Sequence, residues 1–354
     1  MVIKNTIDTG IFHQLILGSS MKIPYFTTIN NNKIPAIGFG TFGSDHVSNE
    51  EMMESVRLAI KAGYRHIDCA SVYGNEKEIG IVLREAMDGK ITGKKIPRED
   101  FWITSKLWND KHNKEDIRPS FLKSLNDLGL DYLDLYLVHW PFPNYHPPGC
   151  DVNSRSPDAK PYIHEEFMIT WREFEKLKED GLVKEIGVSN VTIPKLNKIL
   201  PDCNIKPSVI EMELHPHFQQ KELREYAIKN NMTIIGFSPL GSPNRPNRDK
   251  TSTDTVDLED PIILDIAKTH KTHPALICLK WANANNIIPI PFSTKERNII
   301  SNLKSICEDP LTKEELNKLN KIDKNCRLIK GHVFLWKGAK DWHDLWDENG
   351  VIVK

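Results

Sequence analysis

Short apolar, β-branched segments alternate with longer segments of helical period along most of the chain, and this alternation limits the fold more than any other feature. Lys33–Gly40 reads as a strand. Asn49–Ala62 reads as an amphipathic helix, with Met52, Met53, Val56, Leu58, Ala59 and Ile60 in one broad stripe before Gly63 stops it. Further strands are expected at Tyr64–Asp68, Phe101–Lys106, Tyr132–His139, Val183–Ser189, Ser208–Met212, Thr233–Ser238 and Ile287–Pro291. Helices are expected at Asn75–Met87, Lys114–Leu128, Glu165–Glu179, Ile193–Leu200, Gln220–Asn230, Pro274–Ala284 and Lys295–Leu303. Roughly eight strand–helix units predict an α/β fold in which parallel strands close into a (β/α)8 barrel. Continuous apolar runs such as Leu133-Asp134-Leu135-Tyr136-Leu137-Val138 fit strands buried on both faces.

Two connections, Pro141–His164 and Gly241–Asp260, are long for a compact fold. They follow the fourth and seventh barrel strands, on the face where barrel enzymes carry their sites. The tail beyond Lys324, with Trp336, Trp342 and Trp346, has no place in the eight units and is expected to pack over the barrel mouth. Residues 1–20 read as an extension that need not be ordered, followed by a single domain over 21–354. Their apolar patch Ile11–Leu17 is interrupted by His13 and Gln14, which argues against a signal peptide.

Lys plus Arg (47) nearly cancel Asp plus Glu (48), so nothing electrostatic points to nucleic acid or an anionic membrane as partner. The six cysteines lie far apart, without C-x-x-C or histidine clusters at metal-ligand spacing. Reduced thiols, a cytoplasmic location, no metal and a monomer or weak dimer are the plain expectations.

Gly38-Phe39-Gly40-Thr41-Phe42-Gly43 matches the G-x-G-x-x-G fingerprint of dinucleotide-binding open sheets. In that motif the third glycine opens a helix whose N-terminus meets the pyrophosphate. Here Ser44–Asn49 intervenes before helical period begins, and the even alternation continues to the end of the chain. The match is read as a coincidence.

Three consecutive strands lead into reactive side chains: the second into Asp68 with Tyr73 just beyond, the third into Lys106, the fourth into His139. In parallel register these four groups meet at the barrel mouth. A carbonyl that accepts hydride develops negative charge on oxygen and needs a proton donor. Tyr73 suits that role if Lys106 eases loss of its proton, Asp68 holds Lys106 charged, and His139 orients the carbonyl. Each residue alone has an ordinary structural explanation; the four together point to chemistry.

The segments Gly63–Glu76, Leu130–Pro141 and Gly181–Asn190 resemble the aldo-keto reductases, most closely the aldose and xylose reductase branch, over about Pro24 to Leu303. The resemblance implies a (β/α)8 barrel, an Asp-Tyr-Lys-His tetrad at Asp68, Tyr73, Lys106 and His139, and NADPH as cofactor, with NADH use left open. It further implies that Ser189, Asn190 and Glu211 hold the nicotinamide carboxamide, Glu211 standing where relatives carry Gln. As a carboxylate, Glu211 accepts hydrogen bonds but cannot donate them. Phe237 replaces a stacking Tyr, and Ser238, Leu240 and Ser242 match the pyrophosphate stretch. Gly40, Thr41, Asp68, Ser293, Asn298 and Asn302 complete the implied cofactor contacts. Phe292 replaces the family's phosphate-binding Lys, and Asn298 its Arg. Lys295 and Arg297 stand nearby, as phosphate ligands or as solvated helix-start charges. Phe42, Tyr73, Trp108, His139 and Trp140 are the expected substrate lining, suited to an aldehyde, ketone or sugar. The competing reading of such a barrel is a cofactor-binding sensor or regulatory subunit without turnover.

Overall fold

The computed structural model describes residues 22–43, 46–146 and 156–354, so the expected extension over residues 1–20 lies outside the described residues. A hairpin of β1 (Tyr25–Thr27) and β2 (Lys33–Pro35) opens the described chain. The barrel strands follow: β3 (Phe39–Gly40), β4 (His66–Asp68), β5 (Trp102–Leu107), β6 (Leu133–Val138), β7 (Val183–Ser189), β8 (Val209–Glu213), β9 (Thr233–Phe237) and β10 (Ile287–Pro289). All eight pair in parallel, in chain order. Closure comes from two backbone bonds, Gly38 N–H to the Pro289 carbonyl at 3.0 Å and Gly40 N–H to Pro291 at 3.1 Å.

The two-residue period of the strands separates two cores. Leu135 and Leu137 of β6 point inward, to Trp102, Val209, Ile235 and Ile288. Tyr136 between them points outward, edge-on to Phe121 and stacked on Phe174 of the surrounding helices. Burial of β5 and β6 over their whole lengths follows from this double coverage.

The expected strand Lys33–Gly40 is divided. Its first half belongs to the hairpin, whose turn residues Thr28, Asn30 and Asn32 all donate to the buried carboxylate of Glu185 on β7. Only Phe39–Gly40 joins the barrel. Two helices escaped the sequence reading. Pro261–Thr269 is capped by Asp260, whose side chain accepts from Ile262 N–H, and Lys313–Leu319 carries a capping box of Thr312 and Glu315. The tail packs over the mouth as expected, joining Phe334, Trp336 and Trp346 to Trp140 and Phe142 in one apolar cluster. No helix among the described residues is long and apolar enough to cross a membrane.

The first two glycines of the G-x-G-x-x-G match serve closure of the barrel. A Cβ on Gly38 would lie 2.7 Å from the His66 ring, and one on Gly40 would lie 2.8 Å from the Ile290 carbonyl oxygen. The latter contact is with backbone and cannot be relieved by a rotamer change. Gly40→Ala is expected to cost about 1–3 kcal/mol through overpacking at the seam, read as a lower urea midpoint; an unchanged midpoint would rule out this role for Gly40.

Candidate active site

β4 ends at Asp68, β5 carries Lys106 one residue from its end, and β6 delivers His139 just past its own. The registers Asp68 to Thr104 and Lys106 to Leu137 set these ends side by side. Lys106 is fully buried, ion-paired with Asp68, bonded to the Cys69 carbonyl at 3.0 Å, and 3.4 Å from Glu211 Oε1. Tyr73 ends a short 3-10 turn, Ser71–Tyr73, which Gly74 terminates in the left-handed region and which the Ser71 hydroxyl ties to the Lys106 carbonyl at 3.0 Å. The Lys106 ammonium lies 5.3 Å from the Tyr73 ring centre, and the His139 ring stands edge-on to Tyr73 at 5.9 Å. All four residues singled out in the sequence are therefore brought together.

Burial works against the charge of Lys106, but Asp68 and Glu211 outweigh it and hold the ammonium well above its ordinary range. For Tyr73, burial raises the phenol, and the Lys106 charge and hydrogen bond only partly offset that. The phenol thus stays protonated in this environment. Burial, followed by the Lys106 charge, pushes His139 well below its ordinary range, so its ring is neutral. Glu211 is pushed well above the carboxylate range by burial and then by Asp68, against the pull of Lys106.

Ser189 of β7 pairs in register with Glu211 of β8. Asn190, in left-handed conformation at φ 55°, donates to the Ser189 hydroxyl at 3.2 Å and to the His139 carbonyl at 3.0 Å. Phe237 packs against the interior cluster at the end of β9, and Ser238, Leu240 and Ser242 follow where the long loop leaves. Thr41 is fully buried, its hydroxyl donating to the Asp68 carbonyl at 2.7 Å. Phe292 is half-buried and packs edge-on to Phe39 at 5.8 Å. Lys295, Arg297 and Asn298 are exposed at the start of the helix Glu296–Ser305, beside Ser293, with Asn302 buried further along.

Trp108 meets the His139 ring edge-on at 5.1 Å, and Phe42, 45 % exposed, lies 5.2 Å from Tyr73. Trp140 is only 5 % exposed and sits within the tail cluster, 4.6 Å from Phe334 and 5.5 Å from Trp346. Sequence reasoning missed Phe334 and His146, which flank Trp108 at 6.0 and 6.1 Å. Phe334 reaches the mouth from far along the chain, and no local pattern marks it. A separate cavity of about 540 Å3 opens at the hairpin end of the barrel, lined by Tyr25, Lys33, Arg65, Asp134 and Lys184, away from these groups.

Removing one partner of a buried ion pair leaves the other charge uncompensated. Lys106→Met is therefore expected to cost about 3–5 kcal/mol of stability, measured by urea unfolding at neutral pH; a loss below about 1 kcal/mol, the range of exposed pairs, would contradict this description of the cluster.

The model of the aldo/keto reductase family matches residues 36–324 of this chain. Among curated proteins, the chain is 40 % identical to chicken aldo-keto reductase family 1 member A1 over 301 residues, covering 85 % of this chain and 89 % of that one. It is 37 % identical to an aldo/keto reductase of Synechocystis over 331 residues, covering 93 % and 98 % respectively. Among solved structures, a silkworm (Bombyx mori) aldo-keto reductase in complex with NADP superposes with a TM-score of 0.76 at 30 % identity, covering 88 % of this chain and 96 % of that one. With its barrel, its matched length and its identity to these relatives, this chain belongs to the aldo/keto reductase family.

Proposed function

We propose that the protein reduces an aldehyde or ketone to the alcohol with NADPH, and that Tyr73 donates the proton. The observation that carries this reading is the buried Lys106, paired with Asp68 and placed against Tyr73. Asp68 Oδ2, Glu211 Oε2 and His139 Nδ1 are buried polar atoms without a hydrogen-bond partner, which suits a ligand bearing amide and carbonyl groups. Ser189, Asn190 and Glu211 would hold the carboxamide, with Phe237 against the ring. Ser238, Leu240 and Ser242 would border the pyrophosphate. The bound cofactor supplies hydride to the carbonyl carbon.

The chain's own residues manage the proton. Burial keeps the Tyr73 phenol intact until charge develops on the substrate oxygen, and Lys106 then stabilises the phenolate left behind. His139, neutral, donates a hydrogen bond that orients the carbonyl without competing for the proton. Asp68 fixes the ammonium in place. Phe42 and Trp108 form aromatic walls suited to a small or medium carbonyl compound, sugars included.

Lys295 and Arg297 favour NADPH over NADH, as exposed cations at a helix N-terminus where a ribose phosphate would find both charge and backbone donors. The solved silkworm relative that holds NADP supports this choice. A reducing, cytoplasmic setting suits the five described cysteines, all of them free.

Purified protein should oxidise NADPH when given a panel of aldehydes, and Tyr73→Phe should abolish this while NADPH affinity is retained. Tight NADPH binding with no turnover across a broad panel would replace this reading with that of a cofactor sensor. In fluorescence titrations, Lys295→Met with Arg297→Met should weaken NADPH by about tenfold and leave NADH unchanged; equal losses for both would place the phosphate elsewhere.

A further inference from the structure

Two carboxyl groups and a single ammonium share the floor of the mouth. Glu211 and Asp68 are 2 % and 1 % exposed, and both face Lys106. Each keeps one oxygen, Glu211 Oε2 and Asp68 Oδ2, without a partner. The other groups around them bring no compensating charge. Tyr73 and Cys69, beyond β4, are protonated, because burial raises both. His66 on β4, lowered to about 3 by burial and then by Lys106, is neutral, as is His139 beyond β6. In register with Glu211 are Ser189 on β7 and Ile235 on β9, neither of which ionises. Two carboxylates against one ammonium would leave a net negative charge in a desolvated space, which is costly. One proton on Glu211 removes it.

We propose that Glu211 is a neutral acid, and that it releases its proton when the mouth holds an oxidised, cationic nicotinamide, so that Glu211 makes the preference between the two redox forms of the cofactor depend on pH. The proposal rests on the reading of the mouth as a nicotinamide site. Its basis is charge balance. The reduced ring is uncharged and is matched by the protonated cluster; the oxidised ring is positive and is matched by the ionised one. A neutral Glu211 also donates and accepts hydrogen bonds at once, as the amide of Gln does, so a carboxyl here keeps the donor that a carboxylate lacks. Unlike Gln, it titrates.

The test measures affinities for NADP+ and NADPH by protein fluorescence between about pH 6 and pH 9, in the native protein and in Glu211→Gln. Phosphate groups are common to both forms and cancel in the ratio. In the native protein, NADP+ should gain on NADPH by about tenfold or more as pH rises and the anion forms. In Glu211→Gln the ratio should stay level. Calorimetry of NADP+ binding to the native protein, in two buffers of different ionisation heat, should register proton release, and it needs no variant to fold. A level ratio with no proton release in the native protein, or an equal rise in Glu211→Gln, overturns the proposal and leaves the reductase reading intact. Failure of both forms to bind at any pH overturns the reductase reading itself.

Discussion

The ammonium of Lys106, buried against the carboxyls of Asp68 and Glu211, is the interaction on which the site depends. It joins the ends of three barrel strands that share little sequence proximity. A full charge in this position is tolerated only because its partners are equally buried. The same charge acts on every group around it. It opposes the rise of the Tyr73 phenol, adds to the depression of His139 and pulls against the rise of Glu211. The proposed chemistry is an outcome of one electrostatic arrangement rather than of four independent residues.

The coverings of the mouth are tied to the barrel by a second buried network. Glu213, the last residue of β8, accepts from the backbone N–H of Leu328 and Ile329 in the tail at 2.7 and 2.8 Å. It also bonds His215 at 3.0 Å, and His215 reaches Asp257 at the end of the long loop after β9 at 3.0 Å. Burial opposes the charge on His215, yet Asp257 and Glu213 raise it to about 10, so the ring is cationic between two carboxylates. Asp254 of the same loop pairs with Arg245 and with Lys330 of the tail. Loop and tail are thus anchored to one another as well as to the strand that carries Glu211.

Much of this was legible in the chain. The alternation of periods predicts the barrel, because strands sheathed by helices must be apolar on both faces and helices on only one. The reactive residues were legible because barrel strands run parallel, so residues at successive strand ends become neighbours. Less legible was anything decided by contact between distant segments. The run Lys33–Gly40 reads as one strand, but its first half pairs in a hairpin whose turn is held by Glu185, far along the chain. Phe292 stands at an expected phosphate position, yet packs against Phe39. Trp140 stands among the expected lining residues, yet the tail encloses it.

Sequence alone determined the fold class, the order of the strands and the identity of the four residues that meet at the mouth, because periodicity and parallel topology are local properties repeated along the chain. Tertiary structure alone decided which groups at the mouth carry charge. Glu211 reads as an anion in sequence and becomes an acid that keeps its proton only when β8 brings it beside Asp68 in a space with a single cation. Residue type sets which charges a chain can carry; burial and neighbours decide which of them it does carry.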